Sequence, residues 1–338
     1  MKLRWGICSC GRISSEFVNA LPLLSSEEHK VTAVATANSE VRARTFAMKN
    51  DLKHIKCFGS YEQLFNCAEV DVVYIGVVNH EHFSTVMAAL NAGKHVLCEK
   101  PLGLNAYQVK KMVERARENE LFLMEAFWTR FFPVYKEIKD QIANGGIGEV
   151  KFLVADFGLS NPVQFCRGSR DFRSLFLEEK KPVKVTAAGW LHPDTGVDNT
   201  GLITLQYEGN RAAQLLYTAA ASTECRAQII GTEGRLVIPF NIWCPTELEK
   251  QPAAVGNKGV VSEEDQVFCF QLPQHDQSKF VYRNSAGLSY EASCVHQCLA
   301  DGKTECAGMR LDDSIAMAEI LEEIRKQLGV VYRADKSA

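Results

Sequence analysis

The chain has almost no excess of one charge. Against 41 acidic side chains stand 38 basic ones, a formal charge of −3 over 338 residues, which provides no field for gripping a polyphosphate duplex or an anionic membrane. A nucleic-acid partner is not expected. Long apolar runs are also missing. The longest, Val72 to Val78 with its neighbours, falls far short of the ~20 residues that span a bilayer, and no membrane association is expected. At the N-terminus Arg4 and Arg12 bracket only a few apolar residues, too few for a secretory h-region, so the cytoplasm is the expected location. The 12 cysteines contain no C-x-x-C unit, the spacing of zinc ribbons and of many redox motifs. Many lie in apolar surroundings, and reduced core thiols are expected rather than a disulfide framework. The H-x-H pair His80/His82 has no cysteine or carboxylate cluster beside it, so no metal is expected. Internal repeats and low-complexity tracts are absent.

What is present is alternation. Apolar runs at Leu3–Cys8, Val31–Ala37, Val70–Val77, His95–Cys98 and Leu121–Met124 alternate with amphipathic stretches at Ile13–Leu24, Glu40–Lys49, Glu81–Ala92 and Ala106–Asn119. Nearly continuous apolar strands separated by helices of ten to fourteen residues predict a parallel sheet covered on both faces, a doubly wound α/β domain. After Trp128 the pattern changes. A helix over Val134–Ala143 stops at Gly145-Gly146, and period-two segments follow: Ile203, Leu205 and Tyr207 alternate with polar neighbours, as do Cys225, Ala227 and Ile229. These predict a large, open, predominantly antiparallel sheet in an α+β domain. Gln251–Gln277 reads as a long excursion with one edge strand, and helices return at Tyr290–Ala300 and Asp312–Leu328. The expected organisation is a Rossmann-type dinucleotide-binding domain over 1–126 and an α+β substrate and dimerisation domain over 127–338. The C-terminal helix is expected to pack back toward the first domain. Leu202 and Leu215 or Leu216 need cover beyond what one helical layer supplies, which predicts a closed homodimer on this sheet.

The candidate chemistry lies at strand ends. Where the first strand meets the first helix, Gly6 is followed by Ser9, Gly11 and Ser14. The central glycine of a G-x-G-x-x-G turn is kept, with serine at both flanking positions. Helix N-terminal N–H groups at Gly11, Arg12 and Ile13 would still face an anion. After the second strand, Thr36 and Asn38 are followed by no carboxylate before Glu40, and Arg42 and Arg44 come next. A missing carboxylate beside guanidinium groups favours a ribose 2'-phosphate, hence NADP. Arg42 is the candidate, and Arg44 reads as a solvated helix residue. The ends of the next strands carry Asn79 and His80, then Glu99 and Lys100, polar groups that would border the crevice at the carboxyl edge. Lys100 is the strongest catalytic candidate, because a lysine in a partly desolvated site can exchange a proton with an alcohol or carbonyl oxygen. A salt bridge to Glu99 is the plainer alternative.

These blocks resemble the Gfo/Idh/MocA oxidoreductases. The resemblance runs through Leu3-Arg4-Trp5-Gly6-Ile7, the serine-substituted turn, Tyr74-Ile75-Gly76, Val96 to Pro101, Phe122 to Pro133, Thr195 to Asp198, Trp243 to Leu248, Ala286 to Ala292 and Ile320 to Arg325. It implies a catalytic lysine at Lys100, often followed by a cis bond to proline, and an aromatic substrate pocket of Trp128, Phe157, Trp243 and Tyr282. It further implies a homodimer and NADP-dependent oxidation of trans-dihydrodiols to catechols and of D-xylose to its lactone. The chain departs from the pattern at Leu159 to Lys181. There the family's Asp-x-Gly-x-Tyr or Asp-x-Gly-x-His element, which supplies the lysine's partner, is missing. Asp171 is the stand-in candidate. A catalytically weak NADP-binding homologue and an incomplete gene product remain the alternatives.

Overall fold

The computed structural model describes residues 1–160, 181–253 and 265–336. The described chain divides into two units, Met1–Phe131 with Leu272–Ala318, and Phe132–Gln271 with Glu319–Ala338. Among the described residues no helix is long and apolar enough to cross a membrane.

The first unit is built on six parallel strands, β1 (Leu3–Cys8), β2 (His29–Ala35), β3 (Lys56–Phe58), β4 (Val72–Ile75), β5 (His95–Glu99) and β6 (Leu123–Ala126), in the order β3-β2-β1-β4-β5-β6. This is the doubly wound arrangement, and its strand order reverses between β1 and β4. All four residues of β4 are buried, as a strand covered on both faces requires. The helices α1 (Arg12–Ala20), α2 (Glu40–Lys49), α3 (Tyr61–Phe65), α4 (His82–Asn91) and α5 (Ala106–Glu118) connect the strands. The starts of α2, α3 and α5 are set by capping side chains: Ser39, Ser60 and Asn105 accept from the N–H of Arg42, Gln63 and Gln108, each cap worth about 1 kcal/mol. On the β1–α1 face Trp5, Phe17 and Tyr74 are fully buried. The Phe17 and Tyr74 rings stack at 3.9 Å and Trp5 meets Phe17 edge-on at 5.0 Å. Burial of each such side chain contributes about 1.5–3 kcal/mol.

After α6 (Pro133–Ala143), the second unit forms one sheet. Its strands are β7 (Val150–Gly158), β8 (Lys184–Leu191), β9 (Asp198–Tyr207), β10 (Arg211–Thr218), β11 (Ala227–Gly231), β12 (Gly234–Ile238), β13 (Glu247–Pro252) and β14 (Gln266–Cys269). Their order is β14-β13-β12-β11-β7-β10-β9-β8, with β7 and β10 parallel and the other pairs antiparallel. The expected edge strand is β14. Period-two burial along β9 and β10 sends Ile203, Leu205, Tyr207, Leu215 and Tyr217 inward. Leu202 pairs with Leu216 on the opposite face, where Phe152, Val154, Trp190 and Leu202 are all more than a third exposed. The chain closes with α7 (Leu288–Ala300) and α8 (Leu311–Leu328), and the division between units falls within α8.

Candidate active site

Parallel register brings the candidate residues to one edge of the six-stranded sheet. Cys8 pairs with both Ala35 and Ile75, and Ile75 with Cys98. The segments that follow, 9–13, 36–38, 76–80 and Lys100, therefore leave the sheet at its carboxyl edge, beside the reversal of strand order where α/β sheets bind ligands.

The turn between β1 and α1 explains the serines in part. Ser9 has φ +89°, a region that favours glycine, and a non-glycine residue there costs of order 1–3 kcal/mol. Tyr61 lies near this turn, and burial pushes its phenol up to about 12. Ser14 is fully buried against Gly76, where a Cβ would stand 2.6 Å from the Ser14 hydroxyl oxygen. A bare Gly76 thus lets α1 close on β4 despite the missing third glycine. Gly11 is different. It has an extended backbone, φ −80° and ψ 179°, and a Cβ there would meet only Ser9 Oγ at 3.5 Å and the Gly76 carbonyl at 3.8 Å. Neither conformation nor internal packing requires glycine at 11, so what a Cβ would fill is space outside the protein. The first turn of α1 has no side-chain cap and no acidic residue, which leaves its N–H groups and positive dipole end available to an anion.

Beyond β2, the Thr36 hydroxyl donates to the Ser39 carbonyl at 2.7 Å and accepts from Ser39 N–H at 2.9 Å. Thr36 is committed to the turn, and Ser39 Oγ to capping α2. Arg44 is bound to Glu40. Arg42 is exposed, forms no ion pair among the described residues, and its charge reaches Cys10 and Tyr61. Asn38 is exposed beside it. These features, a bare glycine, an open helix N-terminus and an unengaged guanidinium, fit an anionic dinucleotide. Arg12 extends over the Tyr282 ring at 5.8 Å, and Glu16 on the same helix accepts from Val281 and Tyr282 N–H groups at 3.0 and 3.3 Å. Asn79 is half-buried and His80 exposed. The buried His82 has its ring nitrogens against the carbonyls of Pro101 (2.6 Å) and Val77 (3.1 Å), so the H-x-H pair is divided between solvent and scaffold.

Lys100 is half-buried at the end of β5, and its bond to Pro101 is cis. It forms no ion pair among the described residues, so the salt bridge to Glu99 is not made. Glu99 instead accepts the buried Tyr74 hydroxyl at 2.7 Å. Sequence reasoning missed a second carboxyl. Glu291 on α7 is fully buried, and neither of its oxygens has a hydrogen-bond partner. Burial raises its proton affinity well above the usual carboxylate range, the charge of Glu99 adds to this, and that of Lys100 opposes it. The crevice end of β5 therefore brings the Lys100 side chain within electrostatic reach of the buried Glu291 carboxyl, with the buried Glu99 beside it in the chain.

The aromatic candidates fall in both units. Trp128 (half-buried) and Tyr282 belong to the first. Phe157 and Trp243 belong to the second, where their rings meet edge-on at 5.3 Å. Asp171 lies outside the described residues.

Comparison with known proteins agrees with this geometry. The profile "Oxidoreductase family, NAD-binding Rossmann fold" of the Gfo/Idh/MocA group matches residues 3–127. Trans-1,2-dihydrobenzene-1,2-diol dehydrogenase of Xenopus tropicalis is 38% identical over 98% of this chain and 100% of its own length. The chain belongs to the Gfo/Idh/MocA oxidoreductases. Within this family the enzyme of that name from Sus scrofa is 39% identical over 99% of the chain and 100% of its own length. Among solved structures, a 3-ketoreductase from Actinomadura kijaniata, in complex with TDP-benzene and NADP, superposes with a TM-score of 0.79 at 23% identity, covering 97% of this chain and 98% of that one. A levoglucosan dehydrogenase, in complex with NADH and levoglucosan, gives 0.78 at 19%, with 97% and 98% covered. These two carry the fold alone. The family implies a nicotinamide cofactor, and the turn at Ser9–Ile13 has the form to hold one.

Proposed function

We propose that the chain is an NADP-dependent dehydrogenase that oxidises trans-dihydrodiols of arenes to catechols and D-xylose to its lactone, working as a cytoplasmic homodimer. The observation that carries the reading is the unpaired, half-buried Lys100 at the crevice end of β5. It stands in a chain that matches dihydrodiol dehydrogenases at 38–39% identity over nearly its whole length. A bound nicotinamide supplies the hydride acceptor. The chain's own part is to orient and to move the proton: as the C–H hydride leaves the carbinol carbon, Lys100 Nζ takes or relays the hydroxyl proton, and the oxygen is left as a carbonyl. The carbonyl product of a dihydrodiol tautomerises to the catechol; that of the sugar's anomeric carbon is the lactone. Arg42 favours the 2'-phosphate by charge and by having no other ion-pair partner. The dimer is assigned to the open sheet face around Leu202 and Leu216, since an apolar patch on one face of an open sheet is most simply covered by its symmetry mate.

The test is Lys100→Met, assayed for NADP reduction with a dihydrodiol and with D-xylose while nucleotide affinity is followed separately. Turnover is expected to be lost with nucleotide binding retained. Turnover at the native rate in the variant overturns the role of Lys100. Nucleotide binding with no turnover in the native protein favours the catalytically weak homologue that the missing Asp-x-Gly-x-Tyr/His element motivates.

A further inference from the structure

Three thiols converge on α7 and the loop after it. Cys294 and Cys298 stand four residues apart, on one face of the helix. Cys306 meets them from the turn that follows, and the three sulfurs lie within 4.8 Å of one another, with Cys294 and Cys306 3.0 Å apart. All three are free thiols; Cys298 and Cys306 are buried and Cys294 is half-buried. The turn is fixed from two sides. Leu123 N–H on β6 donates to the Thr304 carbonyl at 3.2 Å, and Cys306 pairs with Met309 in a short bridge. This folds the backbone beneath one sulfur, so that Gly308 N–H donates to Cys306 Sγ at 3.3 Å while Met309 N–H donates to the Cys306 carbonyl at 3.1 Å. Gly308 packs closely, and a Cβ there would press on the Phe131 ring at 3.0 Å and meet Cys306 Sγ at 3.5 Å.

We propose that Cys294, Cys298 and Cys306 form a three-thiolate site for a soft d10 cation of the zinc, cadmium or cuprous class. The donor set is all sulfur, which selects against magnesium and calcium and for thiophilic ions. Tetrahedral zinc with bonds of about 2.3 Å places its sulfurs about 3.8 Å apart, inside the span these three already occupy. Backbone N–H groups aimed at a sulfur stabilise its thiolate, the ligand form. At Cys306 that donor is Gly308 N–H, and the Cys294 sulfur stands 3.0 Å away. The half-exposed side at Cys294 leaves room for a fourth, exchangeable ligand. Occupancy would clasp α7 to the turn that anchors β6. The spacing Cys-x3-Cys-x7-Cys has no C-x-x-C unit, which hides the site in the sequence.

The test titrates the fully reduced whole chain with Cd2+ under anaerobic conditions and follows the thiolate-to-cadmium charge-transfer band in the ultraviolet. Saturation at one equivalent is expected, with loss of the band in Cys306→Ser and in Cys298→Ala and its retention in Cys269→Ser, at an exposed cysteine. Alkylation mapping of the native chain needs no variant to fold: Cd2+ should protect Cys294, Cys298 and Cys306 and leave Cys10 and Cys269 reactive. No one-equivalent complex, or protection spread over other cysteines, overturns the proposal. A Cys294–Cys306 disulfide formed with glutathione disulfide while Cd2+ fails to bind also overturns it, and assigns the cluster to redox chemistry.

Discussion

Replacing Glu291 by glutamine keeps the volume of the buried side chain and removes its charge, which makes the electrostatics of the Lys100 crevice measurable. The carboxyl is fully enclosed with no partner for either oxygen, and burial raises its proton affinity well above the ordinary value of 4.5. The folded chain therefore keeps this proton at pH values where the unfolded chain releases it. Stability from this group is fully present below the unfolded value, and falls as pH rises from there until the folded value is passed. One proton corresponds to about 1.4 kcal/mol per pH unit. As pH rises above the ordinary carboxylate value of 4.5 the native protein should lose stability relative to Glu291→Gln, at up to about 1.4 kcal/mol per pH unit, read as diverging urea midpoints at constant slope. Because Lys100 is the influence that lowers Glu291, Lys100→Met should carry the falling limb to higher pH. Parallel stability curves for native protein and Glu291→Gln would refute the argument, since they would mean that the carboxyl ionises in the folded chain as it does in the unfolded one.

Arg42→Ala should weaken NADP binding about 10–100-fold, the worth of a charge-assisted bond of about 1.5–3 kcal/mol, and leave NAD binding unchanged; equal loss for both nucleotides would separate Arg42 from the 2'-phosphate. Gly11→Val should leave the thermal midpoint close to native, because a Cβ at 11 meets nothing nearer than 3.5 Å, while nucleotide affinity by calorimetry collapses; retained affinity would remove the turn from the binding site. Leu202→Glu, at an exposed position paired with Leu216, should convert a dimer into monomers in sedimentation at micromolar protein, and an unchanged dimer would move the interface off this sheet.

The fold was legible wherever burial leaves a periodic trace. The apolar runs of β1, β4 and β5 stand out because both faces of the sheet are covered, and α2 is found at Glu40–Lys49, the bounds read from sequence, because Ser39 caps it. Strand β3 was not read, since Lys56–Phe58 is a three-residue edge strand with no buried position. The one parallel pair in the second sheet, β7 with β10, left no signature, because alternation does not encode strand direction. In the candidate site Lys100 was visible from its place after a buried strand, and Arg42 from a missing carboxylate. Glu291 was not, because a glutamate between Tyr290 and Ala292 in a helix reads as solvent-facing until β4 and β5 are brought beside it. Cys306 escaped for the same reason: its partners are near only once the turn is closed.

The unit that carries the six-stranded sheet is closed by chain that follows it only after the roughly 140 residues of Phe132–Gln271. Glu16 binds the backbone at Val281 and Tyr282, the Met1 carbonyl meets the His296 ring, and β6 reaches the Thr304 carbonyl. At ribosomal rates of about 5–20 residues per second, a nascent chain therefore carries its β1–β6 segment unfinished for roughly ten seconds or more, with the apolar flank that receives α7 uncovered. An apolar surface left open in that way favours capture by chaperones, and an excised fragment ending near β6 would keep it open. Any portable nucleotide-binding piece of this protein has to be spliced to include Leu272–Ala318.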